Sequence, residues 1–106
     1  MLKKEFRLKK RSEFTELKEK GQLLRSPLFG LVYMKSEETK FGWIVSKKIS
    51  KKAVERNRVR RLMSEVARKN WVDGYKVLVL TKPEILKKKF EEIEEEWIKL
   101  MKLLKK

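Results

Sequence analysis

Three short apolar runs constrain this chain more than anything else in it. "LFGLVYM" (28–34), "FGWIVS" (41–46) and "YKVLVL" (75–80) stand in a sequence of which 42% is charged, and each is rich in the β-branched and aromatic residues that fit a pleated strand. Residues 27–46 and 70–81 each carry no net charge, whereas residues 1–26, 47–69 and 82–106 carry +5, +8 and +2. The neutral stretches are therefore the candidates for buried strands, and the basic surface must come from the segments between them. The first two runs, joined by the polar "KSEETK", predict an antiparallel hairpin. Both are apolar on both alternating sets, so helices should cover the sheet on at least one face. The third follows the turn signal Asp73-Gly74.

Helical periodicity fills the remainder. Leu8, Phe14 and Leu17 precede Gly21 at approximate helical spacing, which predicts a first helix over about residues 9–20, with Ser12 as its cap if it begins late. A second helix spans 53–69, with Val59, Leu62, Met63 and Val66 in one apolar stripe and Asn57, Arg61, Ser64 and Arg68 opposite. The C-terminal stretch opens with Thr81 and Glu84 at capping-box spacing and Pro83 in the first turn. Leu86, Phe90, Ile93, Trp97, Leu100 or Met101, and Leu104 then recur every three or four residues, predicting one long amphipathic helix. The order is α-β-β-(β)-α-β-α, an α+β fold in two layers with a small, mostly antiparallel sheet, and residues 1–106 are expected to form a single domain.

The chain has no cysteine and no histidine, which excludes disulfide frameworks, Cys/His zinc sites, cysteine nucleophiles and histidine bases together. Thirty Lys and Arg against 15 acids give +15, while 41% hydrophobic content is enough to fold around. That balance describes a folded domain with a polyanionic partner rather than a disordered tail, and nucleic acid is the partner expected. No apolar stretch has the length of a signal or membrane-spanning segment, so a cytoplasmic, soluble protein is expected. Heavy Lys and Glu usage with two Asn and one Gln is the drift of hyperthermophile proteins, although a nucleic-acid binder is Lys-rich in any case.

The charge is densest in "SKKISKKAVERNRVRRL" (46–62), eight cations against one Glu. They crowd the start of a helix, where the unpaired N–H groups already carry partial positive charge and repel cations. Charge placed there implies an external anion. Arginine suits it, because its planar fork pairs with phosphate oxygens and stacks on bases, and Asn57 adds a donor and an acceptor for a ribose hydroxyl or base edge.

With Ser46-Lys47-Lys48, Ala53-Val54 and Arg56-Asn57-Arg58 followed by Arg60 and Arg61, after the glycine-containing strand at Gly42, the sequence resembles the bacterial ribonuclease P protein subunit. "FRLKKRSEF" (6–14) is similar to that family's first-helix approach, with Arg7, Leu8 and Phe14 in matching places, and Gly21 matches its glycine after the helix. The resemblance implies a ribonucleoprotein endonuclease that removes the 5′ leader of precursor tRNA, in which the RNA subunit performs the Mg²⁺-dependent hydrolysis. The protein would carry no catalytic residues, no metal and no cofactor of its own. It implies RNA-subunit contacts at Lys47, Lys48, Lys51, Lys52, Arg56, Asn57, Arg58, Arg61 and Arg68. A cleft for the single-stranded leader, between the sheet and the first helix, would be formed by Arg11, Phe14, Lys18, Val32, Asn57 and Arg60. One protein per RNA and no DNA or membrane partner are expected. The family also implies a left-handed crossover at the central helix, against the general right-handed rule.

The chain departs from the family pattern at Lys18, where many members have a second aromatic, at Ser64, where many have arginine, and at Ile44, where a hydroxyl residue is common. Tyr33 lies one position off the alternation that would aim an aromatic at the cleft, leaving Gly30 and Val32 there. Three rivals remain. A small ribosomal protein would share the size and charge but leave precursor tRNA cleavage unaffected. A DNA-binding regulator needs a helix, a short turn and a recognition helix, whereas 53–69 follows a strand and a basic loop. An autonomous metallonuclease could use Glu91, Glu92, Glu94, Glu95 and Glu96, but pairing with the lysines of the last helix explains these better.

Overall fold

The structure, a computed structural model, describes residues 6–8 and 10–105. Helix α1 spans Arg11–Lys20, strands β1, β2 and β3 span Gln22–Arg25, Phe29–Lys35 and Lys40–Ile44, helix α2 spans Ala53–Lys69, strand β4 spans Tyr75–Thr81, and helix α3 spans Phe90–Leu104. This is the predicted α+β order. The third strand before α2 is Gln22–Arg25, whose Leu23-Leu24 pair is too short to register as a pattern in the sequence.

The two runs predicted as a hairpin are not neighbours. The sheet order is β1-β2-β4-β3, with β2 antiparallel to both β1 and β4, and β3 parallel to β4. β2 and β3 run in the opposed directions of a hairpin, but β4 lies between them. Val77, Leu78 and Val79 are each 0% exposed, so β4 is apolar on both faces and buries most where it has a strand on each side. The polar 36–39 linker straddles its start: the Ser36 N–H donates to the Gly74 carbonyl at 2.9 Å, and the Gly74 N–H donates to Thr39 Oγ1 at 2.8 Å. The chain then returns from β3 to β4 through α2, a parallel β-α-β crossover.

The strand alternation divides the core. Phe29, Leu31, Phe41, Val77 and Val79 face α2 and α3, where they pack with Val59, Met63, Val66, Ile93, Trp97, Leu100 and Met101. Trp97 is central to this layer, its ring centroid 5.9 Å from Phe41 and 6.4 Å from Phe29, and its indole N–H donates to the Asn70 carbonyl at 3.3 Å. On the other face Leu78, with Val32 and Met34 at its edge, meets Leu8, Leu17 and Phe14.

Three local expectations need correction. The first helix is capped by Lys10, whose N–H donates to Glu13 Oε1 at 3.2 Å. Ser12 lies inside the first turn, and residue 9, where the predicted helix began, is outside the described residues. The C-terminal helix is broken into a 3₁₀ turn at Pro83–Lys87 and α3 from Phe90. On one continuous helix Lys89 would fall between the buried Ile85 and Ile93, and extending 88–89 leaves it in solvent. Thr81 therefore caps nothing. It ends β4 opposite Phe29, and its hydroxyl donates to the Ile44 carbonyl at 2.8 Å. Ser64, placed on the exposed face of α2, is 1% exposed, and its hydroxyl donates to the Arg60 carbonyl at 2.9 Å. That side of the helix is covered too, by the Arg7-Leu8 segment and β3, with which Ser64 lines a common pocket.

Gly21 makes the tight passage from α1 into β1 possible. A Cβ there would overlap the Leu17 carbonyl oxygen and lie 2.5 Å from Val32 Cγ1, so only glycine lets the helix end this close to the sheet.

Candidate nucleic-acid interface

The basic surface is built on a turn and the helix that follows it. In "KKISKK" the Ile49 side chain is 8% exposed and pinned to the core, its N–H donating to the Ser46 carbonyl at 3.0 Å. This anchor leaves both lysine pairs, Lys47-Lys48 and Lys51-Lys52, in solvent. The hydroxyl of Ser50 accepts the Lys52 N–H at 3.1 Å and donates to Glu55, the only acid of the first helical turn.

The arginines of α2 are held in three different ways. Arg56 is half-buried and donates to the Ser50 carbonyl at 2.9 Å, which fixes the lysine turn. Arg58 lies against the break before α3, donating to the Leu86 and Lys88 carbonyls at 3.4 and 3.5 Å. Arg60 donates to Asn57 Oδ1 at 2.9 Å and to the Val45 carbonyl at 3.4 Å. Arg61 is exposed. Arg68 is engaged by Glu65, Nη2 to Oε2 at 2.8 Å, and this hydrogen bond lowers the Glu65 pKa and raises that of Arg68. Among the described residues, none of Lys47, Lys48, Lys51, Lys52, Arg56, Arg58, Arg60 and Arg61 is in an ion pair. Arginines bound to carbonyls keep their full charge and their remaining N–H donors, so this end of α2 is a stiff, uncompensated cationic surface.

Beside it is a pocket of about 200 Å³ lined by Arg7, Leu8, Phe14, Phe41, Gly42, Trp43, Arg60 and Ser64. Of the expected cleft residues it brings together Phe14 and Arg60. Arg11 and Lys18 are exposed on α1, Asn57 meets the cleft through its bond to Arg60, and Val32 packs in the small layer beneath α1. Tyr33 faces the other way, edge-on to Tyr75 at 6.1 Å. The sequence reading missed Arg7, Leu8, Phe41, Gly42, Trp43 and Ser64 as cleft residues. Gly42 carried the one available signal, since a glycine inside a strand marks a close approach. A Cβ there would stand 3.0 Å from Leu8 Cδ1.

The glutamates of α3 do not converge. Glu92 pairs with Lys88, Glu95 and Glu96 pair with Lys99, and Glu94 meets Lys69 and the Asn70 amide. Among the described residues no group of three acids could hold a metal ion, and no helix is long and apolar enough to cross a membrane.

The family model of ribonuclease P matches residues 2–105. The chain belongs to the ribonuclease P protein family. The ribonuclease P protein component of Carboxydothermus hydrogenoformans is 32% identical over 105 residues, covering 92% of this chain and 90% of that protein. That of Nitratiruptor is 30% identical over 101 residues, covering 92% and 91%. The fold superimposes on the Staphylococcus aureus RNase P protein with a TM-score of 0.82 at 23% identity, over 94% of this chain and 95% of that one. Membership of this family assigns the chain an RNA-binding role in tRNA processing.

So much like charge at a helix start has a consequence for folding. In low-salt buffer the free protein is expected to be partly unfolded, and millimolar sulfate or phosphate should restore its helical circular dichroism by binding the folded form. A spectrum indifferent to added anion would exclude this.

Proposed function

We propose that the chain is the protein subunit of a ribonuclease P ribonucleoprotein, a single RNA-binding domain over residues 1–106 that acts in the cytoplasm. It binds the catalytic RNA, one protein per RNA, through the Lys47–Lys52 turn and the start of α2, and holds the 5′ leader of precursor tRNA in the cleft. The observation that carries this reading is the adjacency of the two features. An uncompensated cationic helix start shares Arg60 with a pocket that contains an aromatic, Phe14. The cations suit phosphates, and the aromatic offers a base a stacking face worth about 1–3 kcal/mol. The chemistry falls to the RNA and the Mg²⁺ it holds, since the protein has neither histidine nor cysteine and its acids, among the described residues, do not gather into a group that could hold a metal. The protein binds no cofactor of its own.

The test is cleavage of precursor tRNA by a bacterial ribonuclease P RNA at low Mg²⁺, with and without the protein. Arg56 and Arg58 brace backbone carbonyls, so a variant without them mixes folding with binding, and Lys51→Ala/Lys52→Ala/Arg61→Ala is the cleaner probe. The protein should restore cleavage, and the triple variant should need at least about tenfold more protein to do so. Cleavage unaffected by a protein that still binds RNA tightly would favour a ribosomal or general RNA-binding role.

A further inference from the structure

α1 forms one wall of the cleft, yet little apolar surface attaches it to the sheet. Leu17 is its one fully buried apolar side chain, and the layer beneath is Leu8, Leu17 and Leu78, edged by Phe14, Val32 and Met34. Such a small layer permits a helix to roll or slide.

The second attachment is ionic and buried. Glu13, next in sequence to Phe14, is 7% exposed. Its Oε2 lies 3.2 Å from Lys40 Nζ on β3 and 3.5 Å from Lys76 Nζ on β4, while Oε1 accepts the Lys10 N–H. The two lysine side chains are themselves only 19% and 16% exposed, so salt screens this cluster far less than a surface pair. The bond from Glu13 raises the Lys40 pKa. Glu38 and Glu16 stand at the rim, 3.4 Å from Lys40 and 3.9 Å from Lys76. A carboxylate this deep is tolerable only where its cations are, and those cations sit on two different strands. The first turn of α1 is therefore held at one height and one rotation, and the same turn aims the ring of Phe14.

We propose that Glu13 is a positioning residue for the cleft: held between Lys40 and Lys76, its carboxylate sets α1 over the sheet so that Phe14 stands opposite Arg60. The inference rests on the reading of the cleft as the leader site, and it makes leader affinity depend on a charge cluster that is not part of the cleft lining.

The test uses Glu13→Gln in the full chain, which keeps the shape and the acceptor for the Lys10 N–H but removes the charge, and Lys40→Met/Lys76→Met, which removes the partners. In both, amide hydrogen exchange over residues 14–20 should speed up about tenfold while α2 is unchanged. In the assembled ribonucleoprotein, affinity for precursor tRNA with a long leader should fall about tenfold, with no change for a one-nucleotide leader or for the RNA subunit. Combining the variants should add little. Unchanged α1 exchange, or equal losses with both substrates, would overturn the proposal. If the unaltered protein shows no dependence on leader length, the leader reading of the cleft fails, and the exchange measurement then decides on Glu13 alone.

Discussion

Trp97→Ala should cost about 3–5 kcal/mol of folding free energy, the largest effect expected of any single substitution in this chain. Trp97 is 0% exposed and packs on Phe29 and Phe41 from opposite strands of the sheet. It also closes α3 against the end of α2 through its bond to the Asn70 carbonyl. Removing the ring leaves a cavity that aromatic neighbours on a sheet cannot collapse to fill, and leaves a carbonyl at the helix end without its donor. Domains of this size are stable by about 5–15 kcal/mol, usually toward the lower figure, so the variant should melt roughly 15–30 °C below the parent. The melts should be compared in sulfate, so that anion-coupled folding does not enter, and with Leu103→Ala, at 50% exposed, as a control expected to cost under about 1 kcal/mol. A Trp97 loss no larger than that of Leu103 would mean that the α2–α3 layer is not the main core.

Replacing Lys47, Lys48, Lys51 and Lys52 together by alanine should have the largest effect on binding. Each phosphate contact contributes about 0.7–0.9 to the slope of log affinity against log salt. Loss of four should flatten the slope by about 3 and weaken RNA binding up to about 10³-fold near 0.1 M salt. Stability should hold or rise, because the four side chains are exposed, make no ion pair among the described residues, and repel one another at a helix start. The matched control removes Lys20, Lys35, Lys102 and Lys105, four exposed lysines outside the turn and α2. A smaller change in slope is expected there. Equal changes in the two variants would show that RNA responds to net charge alone and that the turn is no specific contact surface.

Much of this molecule could be read before its structure. The bounds of α2, Ala53–Lys69, are those its periodicity predicts, because a strong helix with one apolar stripe needs no tertiary information. The cationic turn was equally plain, since Ile49 alone among six residues can be buried. The cleft was only half legible. Phe14 and Arg60 were found, but Trp43 and Ser64 meet them only once β3 lies at the sheet edge beside α2, a neighbourhood that no local pattern encodes. The roles of the arginines were the least legible part: Arg56, Arg58, Arg60 and Arg61 belong to one motif, yet the first three reach the carbonyls of Ser50, Leu86, Lys88 and Val45 while Arg61 stays exposed.

The sequence by itself determined which segments are strands and helices, which faces of them are apolar, and where the charge collects, because these depend on residue type and on periods of 2 and 3.6. Tertiary structure alone decided that β4 inserts between β2 and β3, that the last helix breaks at 88–89, and that Glu13 joins two strands to α1. Each of these is a choice among partners far apart in sequence. Each is settled by burial that can be satisfied only once for the whole chain: a strand apolar on both faces takes a place with a neighbour on each side, Lys89 is kept in water, and one buried carboxylate draws cations from two strands.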